Sequence, residues 1–293
     1  MTAKELRGPP RRPLAAAGPD TARTMAMTGA PEPAGPPRRH RASRTRRAHL
    51  VGVSGIGMSA LARQLVHLGW KVSGSDRSPG EPTRELVRLG VPVAAGHAAE
   101  NIPVACDLVI HTAAVGDDNP EIAEARARGL EIVSYGRMLG ELAAERESIA
   151  VAGTHGKTTT SAILAFLLEG AGLEPGAVIG GMVPQLGGNA LCGDGAPFVV
   201  EACEYRATFH DVTARHGIIT NVDGDHLEFY GTQDRLRAAF RRFAAAFDRG
   251  GVLVTTAETA HLLDLRGACR CRILTVGAKK RDVRIEAGRR ASG

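Results

Sequence analysis

Short apolar runs alternate with amphipathic stretches along most of this 293-residue chain. The runs HLVGVSG, WKVSGSD, VPVAAG and DLVIHTAAV predict β-strands, and the segments MSALARQLVHLG, PTRELVRLG and NPEIAEARARG predict helices. This strand–helix alternation predicts parallel sheets that are covered by helices on both faces. The chain is therefore expected to fold as an α/β protein.

The alternation starts a second time after the strand EIVSYG and the helix RMLGELAAER. The apolar run SIAVAG leads into a loop and the helix SAILAFLLEGAG, and further strands are predicted at AVIGG, FVVEACE, HGIITNV, GGVLVTT and RILTVG. We therefore predict two α/β units that meet near residues 145–148. The predicted divisions are a leader at 1–47, a first domain at 48–145 and a second domain at 146–293.

The net charge of +6 is concentrated at the start of the chain. Residues 1–49 carry 11 Lys and Arg against three Asp and Glu, whereas the rest carries 26 against 28. Residues 1–47 also hold eight of the 16 prolines and show no hydrophobic period, so we expect a disordered leader. An arginine-rich arm can bind phosphates. This leader has no aromatic residue for base stacking, however, so nucleic acid is not an expected partner.

Membrane insertion and secretion are not indicated by the sequence. No run of about 20 apolar residues is present, and the leader lacks the apolar core of about 7–15 residues of a secretory signal. The five cysteines form no CxxC pair, which is typical of a reducing cytosol. We therefore expect a cytoplasmic protein that does not bind membranes. The sequence does not indicate an oligomeric state.

A glycine-rich turn follows the first predicted strand, in VGVSGIGMSA. A strand, such a turn and a helix suit a nucleotide diphosphate, because the amides at the helix start and the helix dipole favour anions. The Rossmann pattern GxGxxG requires glycine at 52, 54 and 57, but position 54 is Ser54. Asp76 ends the next strand, where a carboxylate can bind a ribose hydroxyl. The alternatives are a turn that only packs helix on strand, and a nicotinamide dehydrogenase.

The stretch VAGTHGKTTTSAILAFLLEG, at 151–170, joins a strand to a helix through a shortened relative of the phosphate loop GxxxxGK[ST]. Gly153 and Gly156 allow the backbone amides to face a phosphate. Lys157 is suited to the β- and γ-phosphates, and the Thr158 hydroxyl is suited to Mg²⁺. We predict that this loop binds ATP and is more than a polar turn whose threonines cap the helix. The predicted ATP contacts are Gly153, Thr154, His155, Gly156, Lys157, Thr158 and Thr159.

Carboxylates stand at the ends of two further predicted strands. FVVEACE ends with Glu201 and Glu204. The segment IITNVDGDHLEFYGT places four polar residues after its strand: Asn221, Asp223, Asp225 and His226. Because parallel strands end at the same edge of a sheet, these groups are expected beside the phosphate loop. Their oxygens are suited to a divalent cation.

These segments together resemble the Mur ligases of peptidoglycan synthesis. The likeness runs from about His49 to Val276 and is carried by HLVGVSGIGMSALA, SGSD, GHAAENI, VAGTHGKTTT, GGNA and TNVDGDHLEFYGT. GTHGKTTT with TNxxxDH is specific for the family, and GIGMSA at the first turn favours the member that adds alanine. The resemblance implies a Rossmann-like parallel-sheet first domain, followed by an incomplete P-loop ATPase-type central domain.

The resemblance also implies ATP-dependent amide formation between UDP-N-acetylmuramate and L-alanine. The lactyl carboxylate would attack the γ-phosphate of ATP, and the alanine amine would then displace phosphate from the acyl phosphate. The implied catalytic residues are Lys157, Glu201 and His226. The implied Mg²⁺ ligands are Thr158, Glu201 and His226. The implied sugar-nucleotide contacts are Gly52, Ser54, Gly55, Gly57, Met58, Asp76, Thr112, Ala113 and Asn189.

The chain departs from the family pattern at several places. Ser54 stands where the turn usually carries glycine, and the acidic EADESDASF becomes EACEYRATF, in which Cys203 and Arg206 replace aspartates. No lysine occurs between Lys157 and Lys279, so the carbamylated lysine that bridges metals in some relatives is absent. The chain shows no counterpart of the C-terminal domain that binds the amino acid, so the expectation is a truncated ligase.

Three other interpretations stay open at this point. One is a recycling ligase that attaches a preformed peptide to the same sugar nucleotide. Another is a nucleotide-binding module without catalysis. The last is a nicotinamide oxidoreductase, which the phosphate loop and the imperfect GxGxxG oppose.

Overall fold

The computed structural model describes residues 45–224, 227–277 and 282–284. Most of the predicted leader, residues 1–44, therefore lies outside the described residues. The guanidinium of Arg46 stacks on the ring of Trp70, with Cζ 4.4 Å from the ring centroid. The first strand starts at Arg47, one position before the predicted start of the first domain.

The first unit contains a five-stranded parallel sheet in the order β3-β2-β1-β4-β5. Its strands are β1 (Arg47–Val51), β2 (Lys71–Asp76), β3 (Val93–Ala95), β4 (Leu108–His111) and β5 (Glu131–Ser134). Its helices are α1 (Ile56–His67), α2 (Glu81–Arg88), α3 (Pro120–Ala127) and α4 (Tyr135–Ala144). The strand order reverses at β1, which pairs with β2 on one side and β4 on the other. In open parallel sheets, ligands bind at the carboxyl ends of the strands beside such a switch point.

The second unit contains an eight-stranded sheet in the order β13-β12-β11-β10-β6-β9-β7-β8. Its strands are β6 (Glu147–Ala152), β7 (Gly176–Val183), β8 (Gly188–Cys192), β9 (Pro197–Glu201), β10 (His216–Ile219), β11 (Val252–Thr256), β12 (Arg272–Gly277) and β13 (Val283–Arg284). Its helices are α5 (Lys157–Gly170), α6 (Leu227–Tyr230), α7 (Gln233–Ala245), α8 (Ala257–Leu262) and α9 (Leu265–Ala268). The strand pairs are parallel except β7 with β8. The predicted α/β class with parallel sheets is confirmed.

Three short 3₁₀ turns complete the described elements: Ala99–Asn101, Pro184–Leu186 and Tyr205–Asp211. Strands β8 and β13 and helices α6, α7, α8 and α9 were not predicted. Strand β8 lies at the edge of its sheet, antiparallel to β7, and its first three residues are buried because α1 of the first unit packs on it. Its sequence, GNALC, has too few apolar residues to stand out as a strand.

Helix α1 packs on β7 and β8, so a buried seam joins the two units. Gln64, which is 1% exposed, donates its side-chain amide to the Ala177 oxygen at 3.0 Å and also to the Leu191 oxygen. From β8, Asn189 donates its amide to the Ile56 oxygen at 2.7 Å. Hydrophobic side chains from both units share one cluster around this seam. Because each buried amide would lose its partners on separation, the seam fixes one unit against the other.

A carboxylate is fully buried in the first unit at the start of α3. Glu121 accepts hydrogen bonds from the Ser75 hydroxyl at 2.6 Å and from the Asn101 amide at 2.7 Å. His97 Nδ1 lies 2.9 Å and His49 Nε2 lies 3.5 Å from its oxygens. Burial alone would raise the pKa of Glu121, but the contacts with His49, Ser75 and Asn101 outweigh burial and lower the pKa to about 2. The ionised carboxylate therefore connects α3 to the segments that carry Ser75, Asn101, His97 and His49.

The stability of the fold should depend on Glu121 at acidic pH. The pKa of Glu121 is about 2 in the folded protein, below the value of about 4.3 for an unfolded glutamate. The carboxylate therefore stabilises the folded state fully above about pH 4.3, and this contribution is lost as the pH falls to about 2. We expect Glu121→Gln to lower the free energy of unfolding at pH 7 by about 2–3 kcal/mol, because a buried charge network is broken.

Urea unfolding of the parent and of Glu121→Gln across this pH window measures the effect. The variant should show a flatter pH dependence than the parent. Glu131→Gln, at an exposed position on β5, is the matched control and should follow the parent profile. Identical profiles for the parent and Glu121→Gln would show that the carboxylate does not contribute.

Candidate active site

The glycine turn of the first unit lies at the switch point of its sheet. The amides of Gly52 and Val53 donate to the Ser75 oxygen at 2.9 and 3.0 Å. Gly52 has a φ of 84°, and a Cβ at this position would lie 2.5 Å from the methyl carbon of Thr112. Glycine is therefore required at position 52, and Thr112 forms one wall of the turn.

Ser54 and Asp76, two predicted sugar-nucleotide contacts, bind each other across the turn. The Ser54 amide donates to Asp76 Oδ2 at 2.9 Å, and the Ser78 amide donates to Oδ1 at 2.9 Å. The Ser54 hydroxyl donates to the Ser78 oxygen at 3.3 Å. Asp76 thus stabilises the turn. Because an ionised carboxylate has about four acceptor positions, Asp76 also keeps capacity for a ribose hydroxyl.

Helix α1 begins at Ile56, directly after Gly55, and its first amides have no helical acceptor and can bind an anion. A Cβ at Gly57 would lie 2.6 Å from the hydroxyl oxygen of Tyr135, so the helix start is packed against α4. Met58 is 3% exposed and belongs to the hydrophobic core. The Met58 side chain is therefore part of the core, and its backbone amide is the group suited to a ligand.

Asn189 was predicted to bind the sugar nucleotide, but its side chain is buried in the seam. It is 2% exposed, and its Nδ2 donates to the Ile56 oxygen at 2.7 Å and to the Ser59 hydroxyl at 2.9 Å. The amide therefore holds the first turn of α1 in place and is not presented to the crevice. Ala113, by contrast, is exposed beside Thr112.

The predicted phosphate loop connects β6 to α5 in the second unit. Gly153 and Gly156 adopt φ values of 141° and 79°, which favour glycine. The Thr154 amide donates to the Asn221 oxygen at 3.0 Å, and the His155 amide donates to Asn221 Oδ1 at 2.9 Å. The segment after β10 therefore fixes the shape of the loop.

Lys157 begins α5, and acceptors surround its ammonium group. Nζ donates to the Gly153 oxygen at 2.6 Å and to the Thr154 oxygen at 3.1 Å. The two carboxylate oxygens of Glu204 lie 2.9 and 2.8 Å from Nζ. The Glu204 side chain is 1% exposed and that of Lys157 is 14% exposed. A carboxylate so deeply buried needs a nearby cation, and the pair holds the lysine at the phosphate loop.

Thr158 and Glu201, two members of the predicted metal site, lie side by side. The Thr158 hydroxyl donates to Glu201 Oε1 at 3.0 Å, and the Gly180 amide donates to Oε2 at 2.7 Å. Hydroxyl and carboxylate oxygens are hard ligands of the kind that Mg²⁺ prefers, so this pair fits the ion. The third predicted ligand, His226, lies outside the described residues. Within the described ranges, no group of three or more His, Cys, Asp and Glu residues could hold a metal ion.

Two tyrosines at the site were not identified from the sequence. Tyr135 contacts Gly57 from α4, and burial, followed by the charge of Glu201, raises the pKa of its hydroxyl. Tyr230 donates to the backbone oxygen of Glu204, and burial together with the Glu204 charge raises its pKa to about 12. Tyr135 lies outside the quoted motifs, and Tyr230 lies within TNVDGDHLEFYGT. The motif alone did not indicate either contact, because packing between distant elements brings both side chains to the site.

The fold defines a class of α/β proteins in which a Rossmann-like unit is followed by a phosphate-loop unit. The sequence matches the Mur ligase family, catalytic domain, over residues 47–147, and the Mur ligase middle domain over residues 151–292. The chain belongs to the Mur ligase family, as its motifs predicted.

Individual relatives agree with this assignment. A UDP-N-acetylmuramate–L-alanine ligase of Sorangium cellulosum (strain So ce56) is 41% identical over 234 residues, which cover 80% of this chain and 50% of the relative. The crystal structure of a UDP-N-acetylmuramate–alanine ligase from Thermotoga maritima superposes with a TM-score of 0.69 at 38% identity, covering 80% of this chain and 53% of that one. A UDP-N-acetylmuramate:L-alanyl-γ-D-glutamyl-meso-diaminopimelate ligase from Neisseria meningitides gives a TM-score of 0.73 at 26% identity, with coverages of 80% and 78%. The chain spans about half the length of the curated relatives it matches.

The Lys157–Glu204 pair should be energetically coupled. We expect Lys157→Met to lower the free energy of unfolding by about 3–5 kcal/mol, because the buried Glu204 carboxylate loses its cation. Glu204→Gln alone should also lower the free energy of unfolding. The double variant should recover part of the loss, with a coupling of at least about 1 kcal/mol.

A double-mutant cycle measures this coupling from the urea unfolding of the parent, both single variants and the double variant. Strictly additive effects would contradict the assignment of this pair as an interacting unit. The free energy of unfolding should fall with urea concentration at the same slope in all four proteins. An equal slope shows that the variants expose the same surface on unfolding.

Proposed function

We propose that this chain carries the sugar-nucleotide and ATP sites of a ligase that joins L-alanine to UDP-N-acetylmuramate. The observation that carries the proposal is the convergence of Lys157, Thr158, Glu201 and Glu204 at the carboxyl edge of the second sheet. The activity named for relatives at 38% and 41% identity supports the choice of substrates. We assign residues 48–145 to the sugar nucleotide and residues 146–293 to ATP.

ATP binding is assigned to the loop at 153–159 and the first turn of α5. Backbone amides at the helix start suit the phosphates, and Lys157 adds a positive charge beside them. Thr158 and Glu201 would supply oxygen ligands to Mg²⁺, with His226 as a further proposed ligand. When bound, Mg²⁺ would neutralise charge on the phosphate oxygens.

The chemical step brings together two anions, the lactyl carboxylate and the γ-phosphate. A carboxylate oxygen attacks phosphorus and ADP leaves, which produces an acyl phosphate. The alanine nitrogen then attacks the acyl carbon, and phosphate leaves as the amide bond forms. Lys157 and the amides at the start of α5 oppose the repulsion between the anions, so positioning and charge stabilisation are the protein's main contributions.

The sugar nucleotide is assigned to the crevice above the first sheet. The amides at the start of α1 suit the diphosphate, and Asp76 suits a ribose hydroxyl. Asn189 would act indirectly, by holding the first turn of α1 from the second unit. The proposed contacts are Gly52, Ser54, Gly55, Gly57, the Met58 backbone, Asp76, Thr112 and Ala113.

A second candidate is a ligase that adds a preformed peptide to the same sugar nucleotide. The superposition on the Neisseria meningitides ligase, with a TM-score of 0.73, supports this second candidate. The identity of 38% to the Thermotoga maritima alanine ligase, against 26% to the peptide ligase, supports alanine as the first choice. The two candidates differ in the substrate that is joined to UDP-N-acetylmuramate. An assay with ATP and either alanine or a tripeptide, made on a protein with the length of the curated relatives, shows which product forms.

We place this activity in the cytoplasm, where ATP is supplied and thiols stay reduced. All five cysteines are free thiols in the structure. In the part of the chain that the structure describes, no helix combines the length and apolar character needed to cross a bilayer.

UDP-N-acetylmuramate should stabilise this chain and NAD should not. A ligand at about 100 times its Kd adds about 2.7 kcal/mol to the free energy of unfolding, which is several degrees in melting temperature. Thermal-shift titration with each compound measures the difference. Stabilisation by NAD alone would reject the sugar-nucleotide assignment and favour an oxidoreductase.

Lys157→Ala should weaken the binding of Mg-ATP by about tenfold or more, because a charge-assisted contact to phosphate is removed. Isothermal titration calorimetry, at a temperature where parent and variant are both folded, measures the affinity. Lys71→Ala, at an exposed position on β2, is the control and should bind Mg-ATP like the parent. Equal affinity of Lys157→Ala and the parent would rule out the phosphate-loop assignment.

A further inference from the structure

The loop after β9 contains a backbone turn that the chain must hold in place. Arg206 and Ala207 both adopt left-handed conformations, with φ values of 51° and 57°. For residues other than glycine this conformation costs about 1–2 kcal/mol each, so surrounding contacts have to maintain it. The Ala207 amide donates to the Glu204 oxygen at 2.9 Å, and the Phe209 amide donates to the Cys203 oxygen at 3.0 Å. Hydrogen bonds within the loop therefore support the strained residues.

The same turn is seated on the first unit. A Cβ at Gly140 of α4 would lie 2.0 Å from the Asp211 oxygen, and one at Gly136 would lie 2.8 Å from the methyl carbon of Thr208. The two glycines thus let the 3₁₀ turn Tyr205–Asp211 lie directly on α4. This contact fixes the position of the loop relative to the first unit.

The Arg206 guanidinium reaches the first unit. Its Nη1 donates to the Ala113 oxygen at 2.5 Å. Ala113 follows Thr112, and the Thr112 methyl carbon lies against Gly52 in the glycine turn. A cation from the ATP-side unit therefore stands beside the turn assigned to the sugar nucleotide.

The charge of Arg206 is not balanced by any described carboxylate. The residue is exposed, and its other described contact is the Tyr205 ring, whose centroid lies 5.6 Å from Cζ. A guanidinium has five N–H donors, of which the contact with Ala113 uses one. The remaining donors match the paired oxygens of phosphates and carboxylates, and an unpaired cation in a crevice attracts such anions.

We propose that Arg206 binds anionic oxygens of the sugar nucleotide, those of its diphosphate or of its lactyl carboxylate. This assignment rests on the proposed function of the first unit. The strained turn and the hydrogen bond to Ala113 hold the guanidinium at the crevice, so Arg206 increases the affinity for a charged nucleotide. A neutral nucleoside gains nothing from this contact.

The test is isothermal titration calorimetry of the parent chain and Arg206→Gln. Glutamine keeps a polar side chain with N–H donors but carries no charge. We expect about a tenfold loss of affinity for UDP-N-acetylmuramate and a weaker dependence of that affinity on salt. The affinity for Mg-ATP should not change. Arg206→Lys, which keeps the charge, should lose less affinity than Arg206→Gln.

Arg84→Gln is the matched control, because it removes the same charge from a side chain that is 72% exposed on α2. It should bind UDP-N-acetylmuramate like the parent. UDP-N-acetylglucosamine, which has the diphosphate but no lactyl carboxylate, identifies the contacted group. A similar loss of affinity for this compound in Arg206→Gln assigns the contact to the diphosphate, and no loss assigns it to the carboxylate.

Affinities of Arg206→Gln and the parent that agree within about twofold would overturn the proposal. An equal loss for Mg-ATP would also overturn it, since the substitution would then act through the whole loop. If the parent itself does not bind UDP-N-acetylmuramate, the proposed function is wrong and the role of Arg206 fails with it. Melting temperatures show whether each variant is folded. If Arg206→Gln is not folded, Arg206→Met serves as the second uncharged variant, and it should show the same loss of affinity for UDP-N-acetylmuramate.

Discussion

Two side-chain amides that are buried between the two units fix the position of one unit against the other. Gln64 in α1 and Asn189 in β8 each donate to backbone oxygens across the seam. A buried donor that loses its partner costs about 1–3 kcal/mol, and the hydrophobic cluster shared by the units adds to that cost. The glycine turn belongs to one unit and the Thr158–Glu201 pair to the other. The geometry of the whole crevice therefore follows from the seam.

The second sheet concentrates opposite charges at one edge because its central strands are parallel neighbours. Strand β6 lies between β10 and β9, so the phosphate loop after β6 is flanked by Asn221 on one side and Glu201 on the other. Glu204 pairs with Lys157 from the loop that follows β9. In the proposed ATP complex, a lysine held in this way is already near the phosphate charge, which reduces the reorganisation needed on binding.

Two side chains of the predicted motifs are buried. Met58 and Asn189 belong to motifs of the family, yet one side chain lies in the core and the other in the seam. A motif records which residue types occur together, but not which way each side chain points. Strand β8 escaped prediction for a related reason: its burial comes from α1 and not from its own pattern of apolar residues.

Local sequence was sufficient to specify the α/β class, most strands and the phosphate loop. Hydrophobic period, glycine positions and the GK[ST] spacing act over a few residues, where backbone geometry limits the outcomes. Contacts between distant segments were set by tertiary packing. Asn189 and the Ile56 oxygen are 133 positions apart, and Arg206 and the Ala113 oxygen are 93 apart. Such pairs form only after both sheets are assembled, because the packing of α1 and α4 on the second unit determines which donor meets which acceptor.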